Sequence, residues 1–217
     1  ALLQSLKGKP LVIDRVDRTT KKRYAPQLYD LTELQRDANR LFGFSGKQTL
    51  SLMQRLYEHH KVLTYPRTDS RVITTDIVPT LKERLEACGV DQYAKDAQRI
   101  IRKGIKKLPK SVVDNTKVSD HHAIIPTEQP VFLSELDPKE RRIYDLVVKR
   151  FLSALMDPYE YEQITIHGNI SDEHFTAKGR NVLNLGWKAL YERGFDEEET
   201  DEQTLPRVNK GDEFTNL

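Results

Sequence analysis

The chain has 217 residues, with 35 Lys and Arg against 33 Asp and Glu, a formal net charge of +2 and one cysteine. That length holds one large domain or two small ones with a real core. The single Cys88 excludes an internal disulfide and a cysteine-rich zinc site and fits a reducing, cytosolic setting. No apolar run reaches membrane length, and no stretch reads as a signal peptide.

Charge is uneven along the chain. Lys7, Lys9, Arg15, Arg18, Lys21, Lys22 and Arg23 enrich the start in positive charge. Arg99, Arg102, Lys103, Lys106, Lys107, Lys110 and Lys117 form a second basic block, and Asp196, Glu197, Glu198, Glu199, Asp201 and Glu202 an acidic run. Basic blocks suit phosphate backbones, although the commonest fate of a charge run is a solvated face or loop. The acidic run reads as a loop that repels nucleic acid.

In chain order, Leu11-Val12-Ile13 predicts a short strand, and Pro26 with Leu28-Tyr29 a linker into a new unit. Thr32-Glu33-Leu34-Gln35 matches a capping box with Thr32 as N-cap, followed by a helix that Gly43 ends. Ser45-Gly46-Lys47-Gln48 opens a second helix with Leu50, Met53, Leu56 and Tyr57 on one face, reaching about His59. Two helices joined by so short a turn make a helix-turn-helix candidate. Gly43 to Thr49 is too short between its glycines for a phosphate loop and lacks Ser or Thr directly after Lys47, so no nucleotide triphosphate site is expected.

Lys61 to Thr64 predicts a strand, completing the order of a winged-helix unit. Further helices are predicted over about Asp76–Cys88, stopped by Gly89, and Asp91–Lys103, ended by Gly104. Residues 105–130 read as irregular. Asp137-Pro138-Lys139-Glu140 is a strong helix start, with N-cap, Pro at the first position and Glu at the third. Ile143, Leu146, Val147, Phe151, Ala154 and Leu155 carry its core face. After Asp157-Pro158 the pattern alternates through Tyr161, Ile164, Ile166, Gly168 and Ile170, and Val182 to Trp187 continues it, as in strands. The shift near Asp157 is the candidate domain boundary.

The chemistry concentrates in Thr64-Tyr65-Pro66-Arg67-Thr68-Asp69-Ser70. Pro66 pushes Tyr65 toward an extended form. On an extended segment residues two apart share a face, so Tyr65, Arg67 and Asp69 point the same way. A free tyrosine is a poor nucleophile at neutral pH, since its pKa is about 10. A nearby guanidinium favours the phenolate, grips a phosphate with two hydrogen bonds and stabilises transition-state charge. Asp69 is placed to orient Arg67. The bland alternative is a strand end, a turn and a surface ion pair.

His121 and His122, in Asp120-His121-His122-Ala123-Ile124-Ile125-Pro126-Thr127, are the other candidates. No further Cys or His at zinc spacing lies near them. A structural role is the default for loop histidines. The alternative is phosphate recognition, because a protonated imidazole donates two hydrogen bonds. If His121 approaches Tyr65 and Arg67, the three surround one phosphodiester.

The stretches Leu28 to Asn39, Leu56-Tyr57-Glu58, Leu63 to Ser70, Asp120 to Thr127, Phe151-Leu152 and Gly186 to Tyr191 together resemble type IA DNA topoisomerases, the bacterial topoisomerase III branch in particular. The resemblance covers nearly the whole chain. It implies an α+β fold: a mostly helical, winged-helix-like domain over 28–157 carries the active-site tyrosine. That domain is inserted in part of an antiparallel, β-rich arch domain formed by 1–27 and 158–217, and the chain is read as a piece of a longer protein.

By the same resemblance, Tyr65 attacks single-stranded DNA to form a 5′-phosphotyrosyl link, a strand passes, and the break is resealed without ATP. Arg67 positions the scissile phosphate and His121 contacts it. His122, Thr68 and Asp69 are expected near the DNA, with Lys103, Lys106 and Lys107 as backbone contacts from the basic block. Mg²⁺ belongs to an acidic metal-binding domain that nothing here matches, so its ligands are expected outside this stretch. The expected partners are single-stranded DNA and that missing domain, with no membrane. The expected location is cytoplasmic and nucleoid-associated, and the stretch alone is expected to be inactive in relaxation. Two rivals remain: a non-catalytic winged-helix DNA-binding module, and a tyrosine recombinase or type IB enzyme. The second is disfavoured because Tyr65 precedes His121.

Overall fold

A computed structural model describes residues 6–105, 107–191 and 205–215. It forms two compact units, Ala25–Asp157 and Ala1–Tyr24 with Pro158–Leu217.

In the unit over residues 25–157, helix α1 (Leu31–Phe42) starts one step before the predicted cap. Asp30, not Thr32, is the N-cap, its carboxylate accepting from the Glu33 N–H at 2.7 Å. Gln35 is thereby released to donate to the Gly46 carbonyl at 2.9 Å, clipping α1 to the next helix. Gly43, at φ 69°, supplies the left-handed turn that ends α1, and Phe44 N–H returns to the Ala38 carbonyl. Helix α2 (Gly46–Gln54) is capped by Ser45, whose hydroxyl accepts from Gln48 N–H at 3.1 Å.

α2 runs directly into a π turn over Arg55–His59, closed by His60 N–H donating to the Arg55 carbonyl at 3.0 Å. Lys61 then takes a left-handed conformation, φ 59°, reversing the chain into Val62–Thr64. The predicted strand there is reduced to one antiparallel bridge, Leu63 to Pro126. Pro66 and Pro126 lack N–H groups and cannot extend a ladder. Among the described residues of this unit the strand pairings are isolated bridges, so no winged-helix hairpin is formed.

A 3₁₀ turn (Val78–Thr80, containing Pro79) precedes α3 (Leu81–Cys88), and another (Asp91–Tyr93) precedes α4 (Ala94–Lys103). Gly89 separates them for a steric reason. A Cβ there would lie 2.6 Å from the Leu85 carbonyl oxygen and 2.8 Å from Ala97 Cβ.

Helix α5 (Pro138–Leu155) has the full predicted capping box. Asp137 accepts from Lys139 and Glu140 N–H, and the Glu140 carboxylate accepts from Asp137 N–H at 2.9 Å. Ile143, Val147 and Phe151 on α5 are buried, each contributing about 1.5–3 kcal/mol. Leu28 and Tyr29, expected in a linker, are core residues at 1% and 2% exposure. The Tyr29 hydroxyl donates to Asp37 at 2.5 Å, and the Arg150 guanidinium of α5 donates to both.

In the other unit, β1 (Leu11–Arg23) is thirteen residues long, not a short strand. It pairs antiparallel with β2 (Tyr159–Ile170), which pairs with β3 (Glu173–Asn184). The two-residue β4 (Glu213–Phe214) completes the order β3-β2-β1-β4. The register runs from Val16↔Ile166 to Arg23↔Tyr159, and the polar half of β1 is matched by Arg18–Glu162 and Lys22–Glu160 ion pairs. The core is Ile13, Ile164, Ile166 and Val208. The predicted strand through Trp187 ends at Asn184. Trp187 lies in a 3₁₀ turn (Gly186–Leu190), its indole donating to the Arg23 carbonyl at 2.9 Å. The acidic run from Asp196 to Glu202 lies outside the described residues.

Candidate active site

The tyrosine segment is built against the histidine segment. Thr64 N–H donates to the Ile125 carbonyl, Ile125 N–H to the Thr64 hydroxyl, and Thr127 N–H to the Val62 carbonyl, all at 3.0–3.1 Å. Ala123 N–H donates to the Val72 carbonyl at 2.9 Å, closing the far end. Between these ties exposure alternates. Pro66, Thr68 and Ser70 are buried, Arg67 and Asp69 are exposed, and Tyr65 is half-buried. Tyr65, Arg67 and Asp69 therefore share the outer face, as an extended chain requires.

Tyr65 and His121 meet. Their ring centroids are 4.2 Å apart with planes inclined by 37°. Thr68 makes this possible from beneath. It is 7% exposed, and its hydroxyl donates to the His121 carbonyl at 2.8 Å and accepts from Ser70 N–H at 3.1 Å. Its polar atoms are thus engaged inside the fold.

Arg67 and Asp69 do not meet as expected. Neither makes a hydrogen bond or ion pair within the described residues, so Asp69 does not orient Arg67 here. The outward guanidinium keeps all its donors available. His122 makes no ring contact with Tyr65. Its Nδ1–H donates to the Ala123 carbonyl at 2.7 Å, and the charges of Arg84 and Asp76 act on it. Burial lowers its pKa from 6.5; the Ala123 hydrogen bond opposes that and Arg84 reinforces it. Lys103 is paired with the Asp157 carboxylate, Lys107 is exposed, and Lys106 lies outside the described residues.

Two residues with a bearing on the site escaped the sequence reading as such. Tyr57 was assigned to the apolar face of its helix. The π turn adds a residue to the last turn, and Tyr57 instead stands 37% exposed with its ring edge-on to Tyr65, centroids 5.4 Å apart at 79°. No local sequence signal announces a π turn. Arg84 of α3 is 6% exposed, donates to the Pro126 carbonyl and the Thr80 hydroxyl at 2.8 Å each, and pairs with Glu128 at 2.7 Å. It anchors the far end of the histidine segment, and its spacing on α3 gave no hint of that.

The arrangement is a half-buried phenol between two aromatic rings, with a guanidinium two residues away that has no partner among the described residues. It can present an oxygen nucleophile to an anionic ester. No cluster of three or more His, Cys, Asp or Glu able to hold a metal ion occurs among the described residues.

Comparison with known proteins bears on the same residues. A family model described as DNA topoisomerase matches residues 1–217. The DNA topoisomerase 3 of Bacillus licheniformis is 56% identical over 213 residues, 97% of this chain and 29% of its own length. That of Bacillus subtilis is 54% identical over 214 residues, with the same coverage. The chain thus spans about 29% of the length of these relatives. The full-length topoisomerase I of Thermotoga maritima shares the fold, with a TM-score of 0.65 at 22% identity, over 99% of this chain and 34% of that one. Matched from end to end by the family model and at more than half its positions by these relatives, the chain belongs to the DNA topoisomerase family.

Proposed function

We propose that this chain is the strand-cleaving part of a type IA DNA topoisomerase, acting on single-stranded DNA. The contact between Tyr65 and His121 carries the reading: it joins the two motifs that sequence alone could only list side by side. The Tyr65 oxygen attacks the scissile phosphorus as its phenolic proton leaves. The bond from phosphorus to the 3′ oxygen breaks, and that oxygen takes up a proton as a 3′-hydroxyl. The 5′ phosphate remains esterified to Tyr65. Another strand passes through the gap, and the 3′-hydroxyl attacks the phosphotyrosine to reverse the step. One phosphodiester is exchanged for another, so no ATP is consumed.

Arg67 grips the phosphate and stabilises the added charge on its oxygens, its donors uncommitted among the described residues. His121 offers an imidazole N–H to the same phosphate. Thr68 serves by fixing the His121 backbone rather than by touching DNA. Asp69, His122, Lys103 and Lys107 lie in the proposed DNA-binding set, with Lys103 held by Asp157 until DNA competes for it. No group of three or more His, Cys, Asp or Glu among the described residues fits a Mg²⁺ site. Residues 28–157 form the tyrosine-bearing domain, and 1–27 with 158–217 contribute to the β-rich arch. The protein works in the cytoplasm at the nucleoid. No described helix is long and apolar enough to cross a membrane.

The test uses the full-length protein carrying this chain and end-labelled single-stranded DNA. Tyr65→Phe abolishes covalent trapping on a denaturing gel while binding is retained, and that binding weakens steeply with salt. Undiminished trapping by Tyr65→Phe, or salt-independent binding, contradicts the reading. A module that binds DNA in this way but never traps it is the non-catalytic alternative.

A further inference from the structure

We propose that Tyr57 is a positioning residue for the Tyr65 nucleophile, an inference that rests on the reading of Tyr65 above. In-line attack needs the phenol oxygen near the axis of the breaking bond, and a misplacement of about 1 Å costs on the order of 100-fold in rate. The ring of Tyr65 is only half-buried, so core packing does not by itself hold its torsions. His121 covers one face at 4.2 Å, and Tyr57 meets the ring edge-on at 5.4 Å and 79°, the edge-to-face geometry aromatic pairs prefer.

The two tyrosines are also tied through the backbone. Val62 N–H donates to the Leu56 carbonyl at 3.0 Å, and the Thr127 hydroxyl donates to the Lys61 carbonyl at 2.6 Å. These bonds fix the reversal between the π turn and the tyrosine segment, so the spacing of Tyr57 and Tyr65 is set by main chain. The Tyr57 hydroxyl has no hydrogen-bond partner among the described residues. Its contribution is the ring, and this separates positioning from proton transfer. Its exposure also separates it from a core residue whose loss would unfold the domain.

The experiment compares Tyr57→Phe, Tyr57→Leu and Tyr57→Ala in the full-length protein. It measures single-turnover formation of the covalent complex at saturating labelled single-stranded DNA, the Kd for that DNA, and the thermal midpoint. Leu and Ala slow covalent-complex formation about 10- to 100-fold with Kd within about twofold, and Phe restores the rate. If Ala does not fold, the pair Leu and Phe decides. Leu at the wild-type rate overturns the proposal. A rate loss matched by an equal loss of affinity makes Tyr57 a DNA contact instead, and Phe as slow as Leu assigns the role to the hydroxyl. Tyr65→Phe is run alongside: if it still traps DNA, the reading of Tyr65 itself fails, whatever Tyr57 does.

Discussion

Thr68 shows how the approach of Tyr65 and His121 depends on a side chain buried inside the fold. Its hydroxyl joins the His121 carbonyl and the Ser70 N–H, so one buried side chain registers the Tyr65 segment against the His121 segment. His122, next in sequence to His121, is bonded to the Ala123 carbonyl instead and has a different consequence. Burial first, and Arg84 after it, hold its pKa below 6.5. The folded state therefore binds fewer protons than the unfolded chain as pH falls below about 6.5. The stabilisation is complete above that value and is lost progressively toward the lowered folded pKa. His122→Gln, which keeps an N–H for the Ala123 carbonyl, is expected to flatten the decline of stability as pH falls below about 6.5. Urea denaturation across that range checks it. An unchanged slope places the acid sensitivity elsewhere.

At the scale of elements, legibility followed locality. Asp137, Pro138 and Glu140 announce α5 because cap, first turn and box lie within four residues and need no partner from afar. Asp137→Ala removes the acceptor for two N–H groups and the Arg55 ion pair, and is expected to cost about 1–2 kcal/mol in chemical denaturation. A loss below about 0.3 kcal/mol would show that the cap is redundant. β1 was under-read because residues 16–23 are polar. Asp17 to Arg23 are a strand only because β2 supplies hydrogen bonds and the Glu162 and Glu160 carboxylates, far along the sequence. Leu28 and Tyr29 read as a linker because the group that closes over Tyr29 with Asp37, the Arg150 guanidinium, lies 121 positions further along the chain. The facing of Tyr65, Arg67 and Asp69 was legible from Pro66 and the two-residue rhythm. The approach of His121 and Tyr57 was not, since it depends on the bridge at Leu63 and on the π turn.

At the scale of the whole molecule, the chain matches its family from end to end yet spans about 29% of its relatives' length. The described residues present a half-buried phenol and an exposed guanidinium two residues apart, and no group of three or more His, Cys, Asp or Glu able to hold a metal ion occurs among them. The 217-residue chain alone is accordingly expected not to relax supercoiled plasmid with Mg²⁺, and relaxation on an agarose gel would refute this. The central claim is that one phenol exchanges esters with DNA. Its most direct test is to incubate the full-length protein with single-stranded DNA, denature, digest with trypsin and nuclease, and sequence the nucleotide-bearing peptide by mass spectrometry. A 5′-linked nucleotide is expected on Tyr65 and on no other residue. A nucleotide on a different side chain, or a 3′ linkage, contradicts it.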